Sequence, residues 1–138
     1  MKDLDWSNLS FGYRQTDYNV RCYYRDGKWG EIEVCSDEYL KLHMAATCLH
    51  YGQEAFEGLK AYRCPDGKVR VFRMDENAAR LQSTCRGILM PEVPTELFEE
   101  MVKKVVRLNQ EWIPTYESGA TLYIRPLLIG TSPQVGVH

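Results

Sequence analysis

Apolar and polar residues alternate with a period of two through much of the first half of the chain, and a three-to-four residue period takes over after residue 74. The run Tyr18 to Arg25, YNVRCYYR, is rich in strand formers. Asp26-Gly27 follows as a hairpin turn, and Lys28 to Val34 returns with Trp29, Ile32 and Val34 among charged residues. Residues 36–48, SDEYLKLHMAATC, fit either a helical turn or a strand with a flanking loop. Leu59 to Cys64, the turn Pro65-Asp66-Gly67 and Lys68 to Arg73 make a second hairpin. Asp75 is then placed to cap a first helix with Glu76 in its first turn, and Ala78, Leu81, Cys85 and Ile88 form its apolar face.

Pro91 and Pro94 break the chain, and Thr95 is the expected cap of a longer helix reaching about Trp112. Its core stripe reads Leu97, Met101, Val105, Leu108 and Trp112, widened by Phe98 and Val102, with Pro114 as the stop. Ala120 to Ile129, ATLYIRPLLI, reads as a strand in which Pro126 favours an edge or a bulge. The remaining GTSPQVGVH is a Gly- and Pro-containing tail expected to have nothing left to fold against. The sum is an α+β domain: an antiparallel sheet of hairpins with two helices packed on it.

Composition narrows the function classes. The chain has 138 residues, 44% hydrophobic and 26% charged, which suits one ordinary globular domain. A net charge of −2 argues against nucleic acid or a polybasic membrane role, and no apolar run is long enough to span a bilayer. The opening MKDLDWSNLS places acids where an export signal needs an apolar stretch. The cysteines at 22, 35, 48, 64 and 85 are odd in number and form no CxxC pair, so neither a disulfide framework nor a zinc site is expected. The histidines lack ligand spacing, so no metal is expected, and free thiols fit a reducing cytoplasm.

Three places carry candidate chemistry. HYGQEAFEGLKAYR, residues 50–63, gathers aromatics and glycines. Its Tyr51, Phe56 and Gly58 suit a pocket wall with close backbone approach, and equally an ordinary strand entry. Arg80 sits beside the apolar stripe of the first helix, either solvated or held for a ligand. On the last strand Thr121, Tyr123 and Arg125 share one face, with Leu122 and Ile124 on the other. A phenol beside a guanidinium fork can receive a carboxylate, or can simply be the wet side of a sheet.

HYGQEAFEGLKAYR, FRMDENAARLQSTCRGILMP, NQEWIP and LYIRPLLIGTSPQVGV, in this order and together with the early FGYRQTD, resemble the amino-terminal domain of the branched-chain amino acid aminotransferases. These are pyridoxal 5'-phosphate enzymes of the D-amino-acid-transaminase fold type. The resemblance implies that Arg80 binds the cofactor phosphate. It implies that Phe11, Tyr51 and Phe56 line the pocket for an aliphatic side chain, where Gly58 leaves room. Tyr123 and Arg125 would meet the distal carboxylate of glutamate, and Val137 would close the pocket across a homodimer.

The resemblance further implies residues 1–130 as the small domain and 131–138 as the start of an interdomain loop. The Schiff-base lysine of the family lies in a carboxy-terminal domain, so no catalytic residue is expected in these 138 residues, and Lys60 is read as structural. The implied parent is a cytoplasmic transaminase moving the amino group between Leu, Ile or Val and 2-oxoglutarate, with this chain inactive by itself. A related class IV transaminase or lyase, or a non-catalytic dimerisation module, is the alternative.

Overall fold

The computed structural model describes residues 17–113 and 121–133. In the first hairpin, β1 (Asn19–Arg21) pairs antiparallel with β4 (Glu33–Cys35), and β2 (Tyr24–Arg25) with β3 (Lys28–Trp29). Asp26 and Gly27 close it at φ 53° and 80°, the two left-handed positions that a tight hairpin turn demands. Arg25 faces Lys28, but Arg21 faces Glu33, so the returning strand carries one extra residue as a bulge.

The central ribbon is built from β5 (Glu54–Phe56), β6 (Leu59–Arg63), β8 (Leu122–Ile124) and β9 (Leu127–Ile129), with β7 (Val69–Val71) extending it beyond β6. Phe56 opposite Leu127 and Leu59 opposite Ile124 belong to one unbroken register. The two paired stretches are therefore halves of a single antiparallel ladder, interrupted where Glu57 and Gly58 face Pro126 and Arg125. Pro126 has no N–H to give and breaks the strand expected over 120–129, although its carbonyl still accepts the Glu57 amide at 3.0 Å.

A short α1 (Thr47–His50) precedes the ribbon, and α2 (Met74–Gly87) and α3 (Thr95–Leu108) pack on its inner face. Arg73, left-handed at φ 56°, takes the capping position of α2. Asp75 consequently lies inside the first turn with Glu76, where both carboxylates favour the positive end of the helix dipole. Likewise Pro94 precedes α3 and Thr95 is its first helical residue, with no side-chain cap. The α-helix ends at Leu108 and gives way to a 3-10 turn, Gln110–Trp112.

Ala55, Leu59 and Ala61 of the ribbon meet Ala78, Leu81 and Cys85 of α2 and Phe98, Val102 and Val106 of α3, with Ile113 fully buried beneath them. The buried row of α3 is thus turned from the expected one, and Leu97, Met101, Val105, Leu108 and Trp112 are only half-buried. The turned row ends on Asn109, 3% exposed, whose amide decides the matter. Its Nδ2 donates to the Tyr18 and Val105 carbonyls at 2.9 and 2.8 Å, and its Oδ1 accepts the Tyr18 amide at 3.0 Å. Facing Asn109 inward satisfies every polar atom it buries and ties the first hairpin to the end of α3.

Residues 130–133 do have something to fold against. The Cys48 amide donates to Gly130, Gly130 donates to Gln53, and the Thr47 amide donates to Ser132, at 2.9, 2.9 and 3.2 Å. Pro133 bridges to Ala46. A Cβ at Gly130 would run into Thr47 Oγ1, so only glycine lets the chain pass there. Among the described residues no helix is long and apolar enough to cross a membrane.

Candidate functional site

Alternation along β5 and β6 sends Ala55, Glu57, Leu59 and Ala61 inward and leaves Phe56 and Lys60 exposed. Glu57 is a carboxylate in an apolar series, 6% exposed, and must be paired there. Arg80, on the outer flank of α2, supplies the charge. Its Nε lies 2.8 and 3.0 Å from the two carboxylate oxygens, and an Nη2 lies 2.7 Å from Oε1. Asn77, one turn earlier, donates Nδ2 to the same Oε1 at 3.0 Å and to the Gly58 carbonyl at 3.2 Å.

The Arg80 side chain remains 68% exposed, and the hydrogen-bonded Glu57 carboxylate raises its guanidinium above the ordinary arginine value. A small open cleft of about 270 Å³, lined by Glu76, Asn77 and Arg80, lies beside it. Glu76 is drawn the other way, 3.4 Å from Arg73. Nε and one Nη2 proton of Arg80 are engaged, leaving the Nη1 edge for an anion.

On the opposite face of the ribbon stands a second cluster. The Arg125 guanidinium carbon lies 4.6 Å above the Phe56 ring and 5.5 Å from the centre of the Tyr123 ring. A Cβ at Gly58 would sit 2.7 Å from the Tyr123 hydroxyl and 3.3 Å from its ring carbons. The missing side chain is therefore what lets the phenol lie over the strand. Phe56 and its cross-strand neighbour Leu127 are 58% and 53% exposed, so an open apolar surface flanks the Arg125 guanidinium.

The structure thus brings Phe56, Gly58, Tyr123 and Arg125 together, and sets Arg80 on the far side of the same strand. Residues 56–58 touch both clusters, Phe56 and Gly58 outward and Glu57 inward. Tyr51 stands half-exposed at the end of α1 and, among the described residues, makes no hydrogen bond or ring contact to either cluster. Lys60 is exposed on the outer face opposite Tyr123. Phe11 and Val137 lie outside the described residues. Glu57 and Asn77 were not anticipated from the sequence. An acid at an inward position of an alternating strand was the available signal for Glu57.

Hairpins in an antiparallel ribbon with two helices on its inner face define the class: the fold is that of the small amino-terminal domain of the D-amino-acid-transaminase-like, fold type IV enzymes. Within that class the chain is a relative of the branched-chain amino acid aminotransferases and matches their amino-terminal part. The branched-chain-amino-acid aminotransferase of Haemophilus influenzae is 54% identical over 137 residues, covering 99% of this chain and 40% of that protein. That of Helicobacter pylori is 46% identical over the same shares of both chains. Among solved structures, the branched-chain aminotransferase of Thermoproteus uzoniensis with norvaline aligns at a TM-score of 0.63 and 25% identity, covering 86% of this chain and 36% of its own. A T.th. branched-chain amino acid aminotransferase complexed with N-(5'-phosphopyridoxyl)-L-glutamate aligns at 0.54 and 28% identity, over 73% of this chain and 33% of that one. The chain spans about two fifths of the length of the curated relatives it matches. No family model matches it.

Proposed function

We propose that this chain forms the amino-terminal half-site of a pyridoxal-phosphate-dependent branched-chain amino acid aminotransferase, acting between Leu, Ile or Val and 2-oxoglutarate. The observation that carries the reading is the outer cluster, where Arg125 stacks on Phe56 beside Tyr123 over the bare backbone of Gly58. Transamination of this kind runs two half-reactions through one pocket. One amino acid brings an aliphatic side chain and the other a carboxylate. An aromatic wall holding the Arg125 guanidinium and a phenol answers both demands.

On the inner face, Arg80 is the residue suited to the cofactor phosphate, since it is exposed, held in place and still has a free edge. Bound pyridoxal phosphate supplies the electron sink that allows a proton to leave the amino acid Cα. Residues 1–130 are the small domain in this reading, and 131–138 begin the connection to the domain that holds the cofactor-linked lysine. These 138 residues alone then carry no turnover. A homodimer, in which Tyr51 and Val137 reach the neighbouring site, and a cytoplasmic location complete the proposal.

Assaying the full-length protein with L-leucine and 2-oxoglutarate tests it. Formation of glutamate with pyridoxal phosphate bound is the expected result. Activity confined to D-amino acids, or elimination without amino transfer, would overturn the assignment.

A further inference from the structure

Glu57 is an expensive residue to place where it is. A buried carboxylate needs several donors, and Glu57 receives them from Arg80 and Asn77 of one helix face. As a tie between α2 and the ribbon, an apolar pair would serve as well. What an apolar pair would not do is hold a solvent-exposed guanidinium in one plane. Nε and Nη2 are both committed to Glu57, so the fork cannot rotate freely, and an anion has to approach from the Nη1 side over the Glu76–Asn77–Arg80 cleft. Asn77 locks the carboxylate in turn, and its second bond, to the Gly58 carbonyl, fixes the strand that carries it.

We propose that Glu57 is a positioning residue whose buried carboxylate pre-orients Arg80 toward the phosphate of the cofactor, with Asn77 as its brace. The proposal rests on the reading of Arg80 as the phosphate ligand.

Two effects of removing the charge oppose each other. Without Glu57, Arg80 loses its fixed orientation and must be ordered anew by the ligand, which weakens binding. Arg80 also loses a neutralising neighbour, which strengthens attraction to a dianion. The guanidinium is largely exposed, so water screens the second effect. The loss of orientation prevails.

The test uses the full-length apoprotein, titrated with pyridoxal phosphate and with pyridoxal, which lacks the phosphate, by the absorbance of the bound cofactor. Arg80→Met is expected to lower the phosphate-dependent preference on the order of a hundredfold, and Glu57→Gln about tenfold, with pyridoxal affinity unchanged in both. Adding Glu57→Gln to Arg80→Met should cost nothing more, because Glu57 acts only through Arg80. The Glu57→Gln loss should persist at high salt. Should Glu57→Gln fail to fold, Glu57→Asp, which keeps the charge but draws it back by one methylene, is expected to give a smaller loss of the same kind.

An unchanged preference in the Glu57 variants, with Arg80→Met impaired, would overturn the positioning role and leave the phosphate reading standing. Tighter phosphate binding in Glu57→Gln that salt abolishes would overturn it as well, making the carboxylate a charge attenuator. An unchanged preference in Arg80→Met would refute the phosphate reading itself.

Discussion

Gly58 is the residue on which the outer cluster turns. A Cβ there would stand 2.7 Å from the Tyr123 hydroxyl, the far end of a side chain that lies on the open face of the ribbon and can yield. Gly58→Ala is expected to cost no more than about 1 kcal/mol and to push the phenol off the strand. Urea denaturation of the variant checks the first effect, and altered Tyr123 fluorescence the second. Cys85 makes a different prediction. It is fully buried, and burial raises its thiol above the ordinary value. The folded protein then keeps a proton that the unfolded chain releases in alkali, so this contribution to stability is complete below the ordinary thiol pKa. It is lost as pH rises from there toward the raised value. Cys85→Ala should flatten the alkaline decline in the denaturation midpoint. An equally steep decline in the variant would assign the effect elsewhere.

At the scale of elements, α3 separates two readings of one sequence. The rows 97-101-105-108 and 98-102-106 are both apolar, and periodicity puts the first at the centre of the stripe with Phe98 and Val102 on its flank. The buried Asn109, bonded to Tyr18 across the fold, selects the second. Phe98→Ala should therefore cost about 3–5 kcal/mol, as removal of a fully buried aromatic does. Leu97→Ala should cost distinctly less, and equilibrium unfolding in urea ranks the two. Asn109→Ala should cost about 1–3 kcal/mol by leaving the Tyr18 backbone groups without partners, with faster amide exchange in β1.

The hairpins were legible from sequence because their turns are local: Asp26-Gly27 and Pro65-Asp66-Gly67 each specify a pairing within a few residues. The return of 120–129 onto 54–63 was not, because nothing local encodes which distant strand receives it. Nor was the partner of residues 130–133, which is the backbone of 46–53. Residue type and spacing single out Tyr51, Phe56, Gly58, Arg80, Tyr123 and Arg125, and the resemblance adds Phe11, Val137 and the roles, but only the ladder register reveals that Arg80 and Arg125 lie on opposite faces of one strand, joined through residues 56–58.

For the molecule as a whole, the ribbon is a partition with different work on each side. Helices and core fill the inner face, and Glu57 with Arg80 marks its edge. The outer face exposes Phe56 and Leu127 around Arg125, with Tyr51 and Leu49 also exposed on the neighbouring α1 end. Apolar exposure of this kind seeks cover, so the 138-residue chain expressed by itself is expected to self-associate. Sedimentation equilibrium showing an ideal monomer at high concentration would contradict that.

The central claim is that the outer cluster discriminates a substrate carboxylate from an aliphatic side chain. It is tested most directly by single-turnover kinetics of the two half-reactions in the full-length protein carrying Arg125→Met. The account predicts that kcat/KM for glutamate falls on the order of a hundredfold, as loss of a charge-assisted carboxylate contact implies, while that for leucine changes little. Equal losses for both amino acids, or none for glutamate, would contradict it.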